Sequence, residues 1–461
     1  MPTYEELLQE NAELRRRLLE QERRISRLEK VIEELRRGGK RQAAPFSKGE
    51  PKTDPQRAGR KPGGQYGLQA VRARPTRVDR RIEVGCPLFC EVCQGRVHLQ
   101  GKARQYQIDL PAMQPWATEF VLHYGKCLSC GRRVIGRHPQ QSSSAVGVGS
   151  VQIGPGVFSL AVYLNKVGGL SYGKIAAVLS QMAGLELSRS TLCRAVQRTA
   201  KKSRPLYEEL VRRVRASPVV YPDETGWRVG GVGAWLWAFT NRTETVYTIK
   251  RGRGYAEAVS ILGADYPGVL GADGWAPYRR FKKATHQTCL AHLLRRCQEL
   301  LQTAQAGAAR FPRQVQAILR AALAVRDRRL AGTISARGVQ IARGHLAARM
   351  ARLLSGQITH PANRRLANHL RRHQHELFVF LQREDVEATN WPAEQAIRPA
   401  VVNRKSGGGN RTPRGADAQA ILTSLLRTCH QRGLNAISAL SMILRNPHTP
   451  SYETLLTSQV R

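Results

Sequence analysis

The sequence is poor in acidic side chains. It has 34 Asp and Glu residues against 74 Lys and Arg, so its 461 residues carry a formal net charge of +40. A surface this basic attracts polyanions and releases their counterions on binding, which makes the association strongly dependent on salt. Nucleic acid is therefore the expected partner, and an anionic membrane surface or a ribosomal role is the alternative.

Long apolar runs are also missing. No stretch reaches the roughly 18 apolar residues that a membrane-spanning helix needs, and the hydrophobic content of 41% is that of a globular protein. Residues 1–8 are acidic and amphipathic, without the basic and then apolar layout of a secretory signal. These features predict a cytoplasmic protein of about three domains, without membrane association.

The nine cysteines do not suggest a disulfide framework, because their number is odd and five of them crowd into one short region. Cys90 and Cys93 form one C-x2-C pair, and Cys127 and Cys130 form a second. Two such pairs can close a tetrahedral four-cysteine zinc site, which has no open position and is therefore structural. We predict a Zn²⁺-binding domain at residues 81–140.

An apolar heptad repeat occupies residues 1–37. Its a positions are Tyr4, Asn11, Leu18, Ile25 and Ile32, and its d positions are Leu7, Leu14, Gln21, Leu28 and Leu35. If two copies of this segment pair in parallel, the g residues of one helix face e residues of opposite charge on the other. An Asn at an a position, such as Asn11, fixes two such helices in register. The repeat predicts a homodimer through a parallel coiled coil, and the alternative is one amphipathic helix packed on its own domain.

Two further segments are candidates for contact with DNA, and the alternative for the first is a solvated tether. Residues 38–80 are rich in Lys, Arg, Gly and Pro without hydrophobic periodicity, which predicts a flexible basic linker. Residues 150–212 have helical periodicity interrupted at Gly184, with Ser188 placed to cap a second helix. This pattern predicts a helix-turn-helix or, alternatively, an ordinary helical hairpin. The side chains expected to face DNA are Arg189, Arg194 and Arg198.

Three acidic residues lie where a metal-dependent nuclease or transferase needs them. Asp223 ends the apolar run that begins at Pro218, Asp273 ends the run from Val269, and Glu394 opens a helical segment. Mg²⁺ prefers carboxylate ligands, and two such cations can activate the attacking oxygen and stabilise the leaving oxygen of a phosphodiester. The three acids therefore predict a catalytic site for Mg²⁺ or Mn²⁺.

The order of predicted elements around the acids favours a multidomain α/β fold with a ribonuclease-H-like catalytic core. Three meandering strands, a helix and a fourth strand precede a long stretch rich in Arg, Ala and Leu at helical spacing. The predicted core comprises residues 217–284 and 386–445. Residues 285–385 are a predicted helical insertion, and residues 446–461 are a C-terminal tail.

Around the acids, the chain resembles the transposases of the insertion-sequence-66 family. The specific motifs are Asp-Glu-Thr-Gly-Trp at 223–227, Ala-Asp-Gly-Trp at 272–275 and Ala-Glu-Gln-Ala-Ile-Arg-Pro at 393–399. The resemblance implies a transposase that uses its Asp, Asp, Glu triad to cut and join double-stranded DNA at element ends and target sites. It also implies possible accessory proteins and phosphate contacts from Arg398, Arg404 and Lys405. It identifies Cys289 and His292 as a Cys-x2-His element that is structural or DNA-facing.

Several alternatives stay open at this point. Glu224 could replace Asp223 as the ligand, Cys86 could replace one zinc ligand, and His286, Cys289 and His292 form a less favoured second zinc site. The chain could also be a DNA-binding regulator derived from a transposase, or a metal-dependent nuclease that does not join strands. One departure from the family pattern is Ser-Gly-Gly-Gly-Asn-Arg at 406–411, where an aromatic residue is expected.

Overall fold

The computed structural model describes residues 73–303, 306–446 and 448–457, together with Thr3 and seven positions between 13 and 28. Almost all of the predicted coiled coil at 1–37 and most of the linker at 38–80 lie outside the described residues. The chain divides into two compact units, Met1–Gln114 and Pro115–Arg461. Within the described ranges, no helix has the length and apolar content needed to cross a membrane.

Each C-x2-C pair lies at the tip of a small antiparallel turn within its own unit. In the first unit, Phe89 and Arg96 form an isolated antiparallel bridge on either side of the first pair. In the second unit, strands β1 (Tyr124–Lys126) and β2 (Arg133–Ile135) form a hairpin that encloses the second pair.

Three helices precede the large sheet. They are α1 (Pro155–Lys166), α2 (Tyr172–Ala183) and α3 (Arg189–Ala216). Gly184 ends α2 with φ at +61°, and the Ser188 hydroxyl accepts the Thr191 N–H at the start of α3. The helix break and the cap predicted from the sequence are therefore both confirmed.

The central sheet is mixed, with five strands in the order β5-β4-β3-β6-β7. Strands β3, β4 and β5 are antiparallel, whereas β6 and β7 continue the sheet in parallel with β3. The strands are β3 (Val219–Val229), β4 (Val232–Thr240), β5 (Thr245–Lys250), β6 (Val269–Ala272) and β7 (Thr285–Thr288). The sequence predicts that β3 ends at Asp223, but β3 continues to Val229 because residues 223–229 pair with β4.

The remaining helices surround the sheet. Helix α4 (Tyr255–Leu262) connects β5 to β6 as predicted. The inserted helices are α5 (Leu290–Thr303), α6 (Arg310–Leu330), α7 (Ala336–Ser355), α8 (Pro361–Arg372) and α9 (Val379–Gln382). The last helices are α10 (Trp391–Gly407), α11 (Pro413–Gln431), α12 (Ala436–Arg445) and α13 (Tyr452–Thr457).

The inserted helices share a hydrophobic core with the sheet. Val219, Tyr221 and Val269 from β3 and β6 belong to the same buried cluster as Val315 and Leu319 of α6. Burying apolar surface in one continuous cluster couples the two parts, because separating them would expose that surface to water. The insertion is therefore packed directly beneath the strands that carry the first two acids.

The glycine-rich segment after α10 is a structural element of the sheet. Asn410 bonds Gly230 and Arg228 through its backbone, and its side-chain Oδ1 accepts the Trp227 indole N–H at 2.8 Å. Gly409 has φ at +113°, and a Cβ added there would lie 2.5 Å from the Arg228 carbonyl oxygen. The departure from the family pattern at 406–411 thus fastens α10 to the end of β3.

Gly409→Ala is expected to destabilise the protein by about 2–3 kcal/mol, because alanine would strain the backbone and collide with β3. Thermal unfolding followed by circular dichroism measures the effect. Gly407→Ala is the matched control, since Gly407 has ordinary dihedrals and open space around its Cα. Equal stability of the two variants would contradict the fastening role of Gly409.

Candidate active site

Asp223 lies in the middle of β3, the central strand of the sheet. The parallel pairing of β3 with β6 involves only Val219 and Val220, so the β6 side of β3 is open at Asp223. The carboxylate is partly buried, and its Oδ1 accepts the N–H of Glu224 at 2.8 Å. The side chain is therefore held at the position where β3 and β6 separate.

Asp273 follows the last residue of β6. Its exposed carboxylate accepts the Trp275 N–H at 2.9 Å, which closes a tight turn at Gly274 with φ at +94°. Arg279 donates to the Gly274 carbonyl at 2.7 Å and pairs with the buried Glu376 of the insertion at 3.2 Å. Through Arg279, the loop that carries Asp273 is therefore held in place by the insertion.

Glu394 lies in the first turn of α10, where Pro392 occupies an early helical position as predicted. A carboxylate at this place is stabilised by the positive end of the helix dipole. The side chain is 43% exposed, and one of its oxygens lies 3.9 Å from His292 Nε2. Glu394 is therefore accessible, and it lies near enough to Asp223 for its charge to raise the pKa of that aspartate.

Asn390 connects the three acids. Its side-chain Nδ2 donates to the carbonyl of Pro222, which precedes Asp223, at 3.0 Å. Its backbone N–H donates to Cys289 Sγ at 3.1 Å, and the N–H of Cys289 donates to Ala272, which precedes Asp273, at 2.8 Å. Since Asn390 also receives the N–H of Glu394 at 3.1 Å, one chain of hydrogen bonds fixes the spacing of the three acids.

The negative charges of the three acids lie close together, and no Lys or Arg of the described residues neutralises them. Burial first, and then the charges of Glu224, Asp273 and Glu394, raise the pKa of Asp223 from its ordinary 3.8 to about 7. Within the described ranges, no Lys or Arg forms an ion pair with any of the three acids. In a chain of net charge +40, three acids that no described Lys or Arg pairs with, and of which only Glu394 has a neighbouring His292 at 3.9 Å, are suited to a bound cation.

Across the described part of the chain, no three His, Cys, Asp or Glu side chains are close enough to hold a metal ion between them. The three acids are close enough for Asp273 and Glu394 to raise the pKa of Asp223, but their side chains do not meet at one point. Mg²⁺ keeps several of its waters and takes only one or two carboxylates directly, so oxygen donors spaced in this way fit it. The donor set consists of carboxylates, as a hard cation requires.

Glu224 is occupied by other contacts. Its Oε1 accepts two hydrogen bonds from Arg253, at 2.9 and 2.7 Å, and its Oε2 accepts the Tyr278 hydroxyl at 2.5 Å. The Arg253 guanidinium is held in turn against the Trp235 and Trp275 rings, at 4.4 and 4.6 Å. With its side chain only 4% exposed, Glu224 is a supporting residue, and the geometry favours Asp223 as the ligand.

The basic residues after Glu394 lie on two sides of α10. Arg398 and Lys405 are exposed and share the Glu394 face, since they follow it by about one and three helical turns. Arg404 points the other way, where it bonds Thr225 Oγ1 at 2.9 Å and the Gly226 carbonyl. Arg398 and Lys405 are thus free to meet a strand at the acids, whereas Arg404 fastens α10 to β3.

The three arginines predicted to read DNA are on the outer surface of α3. Arg189, Arg194 and Arg198 are all exposed, while Leu192 and Val196 of the same helix are buried. Arg194 donates to the Ser190 hydroxyl at 3.4 Å, and Arg198 lies over the Phe158 ring at 5.8 Å. The first turns of α3 therefore present a basic face that forms no ion pair with the acids of the described ranges.

The cysteine pairs have the local geometry of zinc knuckles. The N–H of Cys90 donates to Gly95 and that of Cys127 donates to Arg132, each at 2.8 Å, which folds each pair into a tight turn. Backbone N–H groups of Cys93 and Val92 lower the pKa of Cys90, and those of Cys130 and Ser129 lower the pKa of Cys127. Amides aimed at sulfur favour the thiolate, which is the form that binds zinc.

The Cys-x2-His element lies inside the acid site. Cys289 is buried just before α5, and its neighbouring thiol raises the pKa of the His292 imidazole. Among the described residues, His292 Nδ1 and Asn390 Oδ1 are buried without a hydrogen-bond partner. Sequence patterns identify the Cys-x2-His spacing, but the role of Asn390 depends on a contact with Cys289 across 101 positions and has no local signal.

Asn390→Ala is expected to reduce metal-dependent DNA cleavage while leaving DNA affinity unchanged. The substitution leaves the buried Pro222 carbonyl without its donor, a loss of about 1–3 kcal/mol that loosens α10 from β3. Cleavage rate and thermal stability are the measurements, with Asn368→Ala on the surface of α8 as the control. Wild-type cleavage by Asn390→Ala would show that the acids are positioned without it.

Two comparisons with known proteins show what this chain is similar to. A family model described as "Transposase IS66 family" matches residues 150–418, which include all three acids and α3. The chain is also similar to the "Uncharacterized protein y4qI" of Sinorhizobium fredii (strain NBRC 101917 / NGR234), with 25% identity over 293 residues. That match covers 57% of this chain and 53% of the relative, so the chain spans about half the length of the curated relative it matches.

Proposed function

Because the chain belongs to the IS66 transposase family, we propose that it is a DDE-type transposase whose catalytic acids are Asp223, Asp273 and Glu394. The observation that carries the proposal is the shared site. Three carboxylates from β3, the end of β6 and the start of α10 are linked through Asn390, and none of them pairs with a Lys or Arg of the described residues. A DNA-cutting or DNA-joining enzyme needs such carboxylates, since they bind the cations that act on a phosphodiester.

The catalytic domain is proposed to be ribonuclease-H-like. Support comes from the strand order, with three antiparallel strands followed by parallel strands on the other side of β3. The insertion of α5 to α9 between the second aspartate and the glutamate has the order expected for this group of transposases. The first two acids then lie just beyond the short parallel pairing of β3 with β6, where the two strands separate.

Mg²⁺ or Mn²⁺ is the proposed cofactor, and it would supply Lewis-acid activation of water and of the 3′-hydroxyl when bound. The protein itself performs the positioning. Asp223 and Asp273 are held by backbone hydrogen bonds, Glu394 is held by the helix that Asn390 begins, and Arg398 and Lys405 face the DNA phosphates. No covalent protein intermediate is needed, because positioning and charge can carry phosphoryl transfer.

Element-end DNA and target DNA are the proposed substrates. The exposed arginines of α3 are proposed to bind duplex DNA in the major groove, and the predicted coiled coil would bring two copies together. A zinc ion held by Cys90, Cys93, Cys127 and Cys130 is proposed to order residues 81–140. Support comes from the two knuckles and from the many exposed apolar side chains there, such as Val92, Leu99 and Trp116, which show that little core holds this region.

Cys127→Ser is expected to remove bound zinc from the purified protein, because one of four thiolate ligands is lost. Elemental analysis should find about one zinc per wild-type chain. Cys193→Ser on α3 is the control and should keep the metal, while Cys86→Ser tests whether Cys86 is a ligand. Wild-type protein without zinc, or Cys127→Ser with the full amount, would refute the site.

Strand transfer tests the proposed function. The full-length protein is incubated with Mg²⁺, a target plasmid and a duplex that carries the DNA end flanking its gene. We expect cleavage that exposes a 3′-hydroxyl, followed by joining of that end to the plasmid. Binding without cleavage would identify a DNA-binding regulator, and cleavage without joining would identify a nuclease. Either result would contradict the proposal.

A further inference from the structure

The helical insertion contains a large cavity that the catalytic site does not use. It lies between α6, the end of α7 and the start of α8, and its volume is about 940 Å³. This is within the range of pockets that hold small molecules or single residues of a polymer, roughly 300–1,000 Å³. The residues that line it differ in chemistry between the rim and the floor.

The rim of this insertion cavity is basic. Arg310, Arg349, Arg352 and His360 contribute to the lining, and no Asp or Glu among the described residues does so. The three arginines are exposed, and their guanidinium groups make no ion pair with the described residues. Arginine binds phosphate through two parallel N–H donors, so this rim suits a phosphate group.

The floor of the insertion cavity is apolar. It is formed by the side chains of Phe311, Ile318 and Leu353, the first two of which are buried in the core of the insertion. An apolar floor below a phosphate-binding rim matches the two halves of a nucleotide, a flat base and a charged phosphate. A paired base cannot reach such a floor, because its faces are stacked within the duplex.

The composition of the insertion supports a nucleic-acid ligand. Residues 290–382 contain sixteen arginines and no lysine, against three acids. Besides binding phosphate, a guanidinium stacks on flat rings such as bases, and it is more weakly hydrated than an ammonium group. The shared core with β3 and β6 also keeps the insertion cavity in a fixed relation to the acids.

We propose that the insertion cavity holds an unpaired nucleotide of the DNA strand, with the phosphate at Arg349 and Arg352 and the base against the partly buried Leu353 and Ile358 of the apolar lining. This inference rests on the proposed function and adds to it a second DNA site outside the acids. A strand held there would be locally unpaired, so the insertion would select DNA ends that open easily.

Fluorescence anisotropy tests the proposal with two labelled DNAs, a fully paired duplex and the same duplex with a single-stranded extension. Wild-type protein is expected to bind the extended DNA at least about tenfold more tightly. The double variant Arg349→Glu/Arg352→Glu should lose that preference. Arg337→Glu is the control, because Arg337 is exposed on α7 and lies about 18 Å from the nearer of the two cavity arginines along the helix axis.

Equal preference for the extended DNA in the double variant and in Arg337→Glu would overturn the proposal. The base is followed directly with 2-aminopurine in the extension, whose fluorescence should change on binding to wild type but not to the double variant. Displacement of the extended DNA by free ATP would instead assign the cavity to a free nucleotide and overturn the strand assignment. None of these readouts requires cleavage, so a protein that fails to cut DNA would still test the cavity.

Discussion

Asp273→Asn is expected to reduce metal-dependent cleavage of element-end DNA by about 10³-fold or more. The substitution keeps the size of the side chain and removes the charge that would hold a cation, and the loss of several kcal/mol of transition-state stabilisation gives an effect of this order. Asparagine can still accept the Trp275 N–H that closes the turn after β6, so the loop should keep its shape. The measurement is the initial rate of cleavage with Mg²⁺ in excess.

The control for this variant is Asp265→Asn. Asp265 is an exposed acid in the same stretch of chain, 77% exposed and paired with Lys283 at 3.1 Å. Removing its charge changes the net charge by the same amount without touching the site, so cleavage should stay at the wild-type rate. Binding of the end DNA should be nearly equal for both variants, because the basic surfaces on α3 and α10 are unchanged. Similar cleavage by the two variants would refute the catalytic role of Asp273.

Asp223→Asn is expected to stabilise the metal-free protein at pH 8 by up to about 4 kcal/mol. Burial and the neighbouring acids raise the pKa of Asp223 to about 7, so the folded protein binds a proton that the unfolded chain releases near pH 3.8. Between these two pH values the folded state binds more protons, and stability therefore falls as pH rises towards 7. Asparagine is neutral at every pH and avoids this loss.

Thermal unfolding in EDTA at pH 4 and pH 8 measures the difference. The two proteins should unfold at similar temperatures at pH 4, and the variant should be the more stable one at pH 8. Added Mg²⁺ should stabilise wild type at pH 8 and have little effect on the variant, because a ligand stabilises only the state that binds it. Lower stability of Asp223→Asn than of wild type at pH 8 would mean that the Asp223 charge is compensated within the protein.

Local signals in the sequence predict most of the elements that carry the site. Gly184 and Ser188 mark a helix end and a helix start by their own chemistry, and the apolar runs that precede Asp223 and Asp273 are strands. Pro392 and Glu394 mark the start of α10 in the same way. Such features depend on residues a few positions apart, which is why a single sequence is sufficient to find them.

Contacts between distant segments have no such signal. In the sequence, Glu224 is as suitable a metal ligand as Asp223. In the structure, Arg253 and Tyr278 donate hydrogen bonds to its two carboxylate oxygens. Arg404 carries the same charge as its neighbour Lys405, but it lies on the face of α10 that contacts β3, where it donates to Thr225. The extension of β3 beyond Asp223 likewise depends on its pairing with β4. In each case the local sequence pattern is compatible with two roles, and a tertiary contact decides between them.

The central claim is that Asp223, Asp273 and Glu394 hold the catalytic cations together. Crystals soaked in Mn²⁺ test it most directly, because Mn²⁺ can replace Mg²⁺ and its anomalous scattering identifies its position. We expect manganese bound among the three acids, with each ion contacting one or two of their carboxylates directly, and no such peak in crystals of Asp273→Asn. Manganese bound elsewhere, or equally strong at this site in the variant, would refute this assignment.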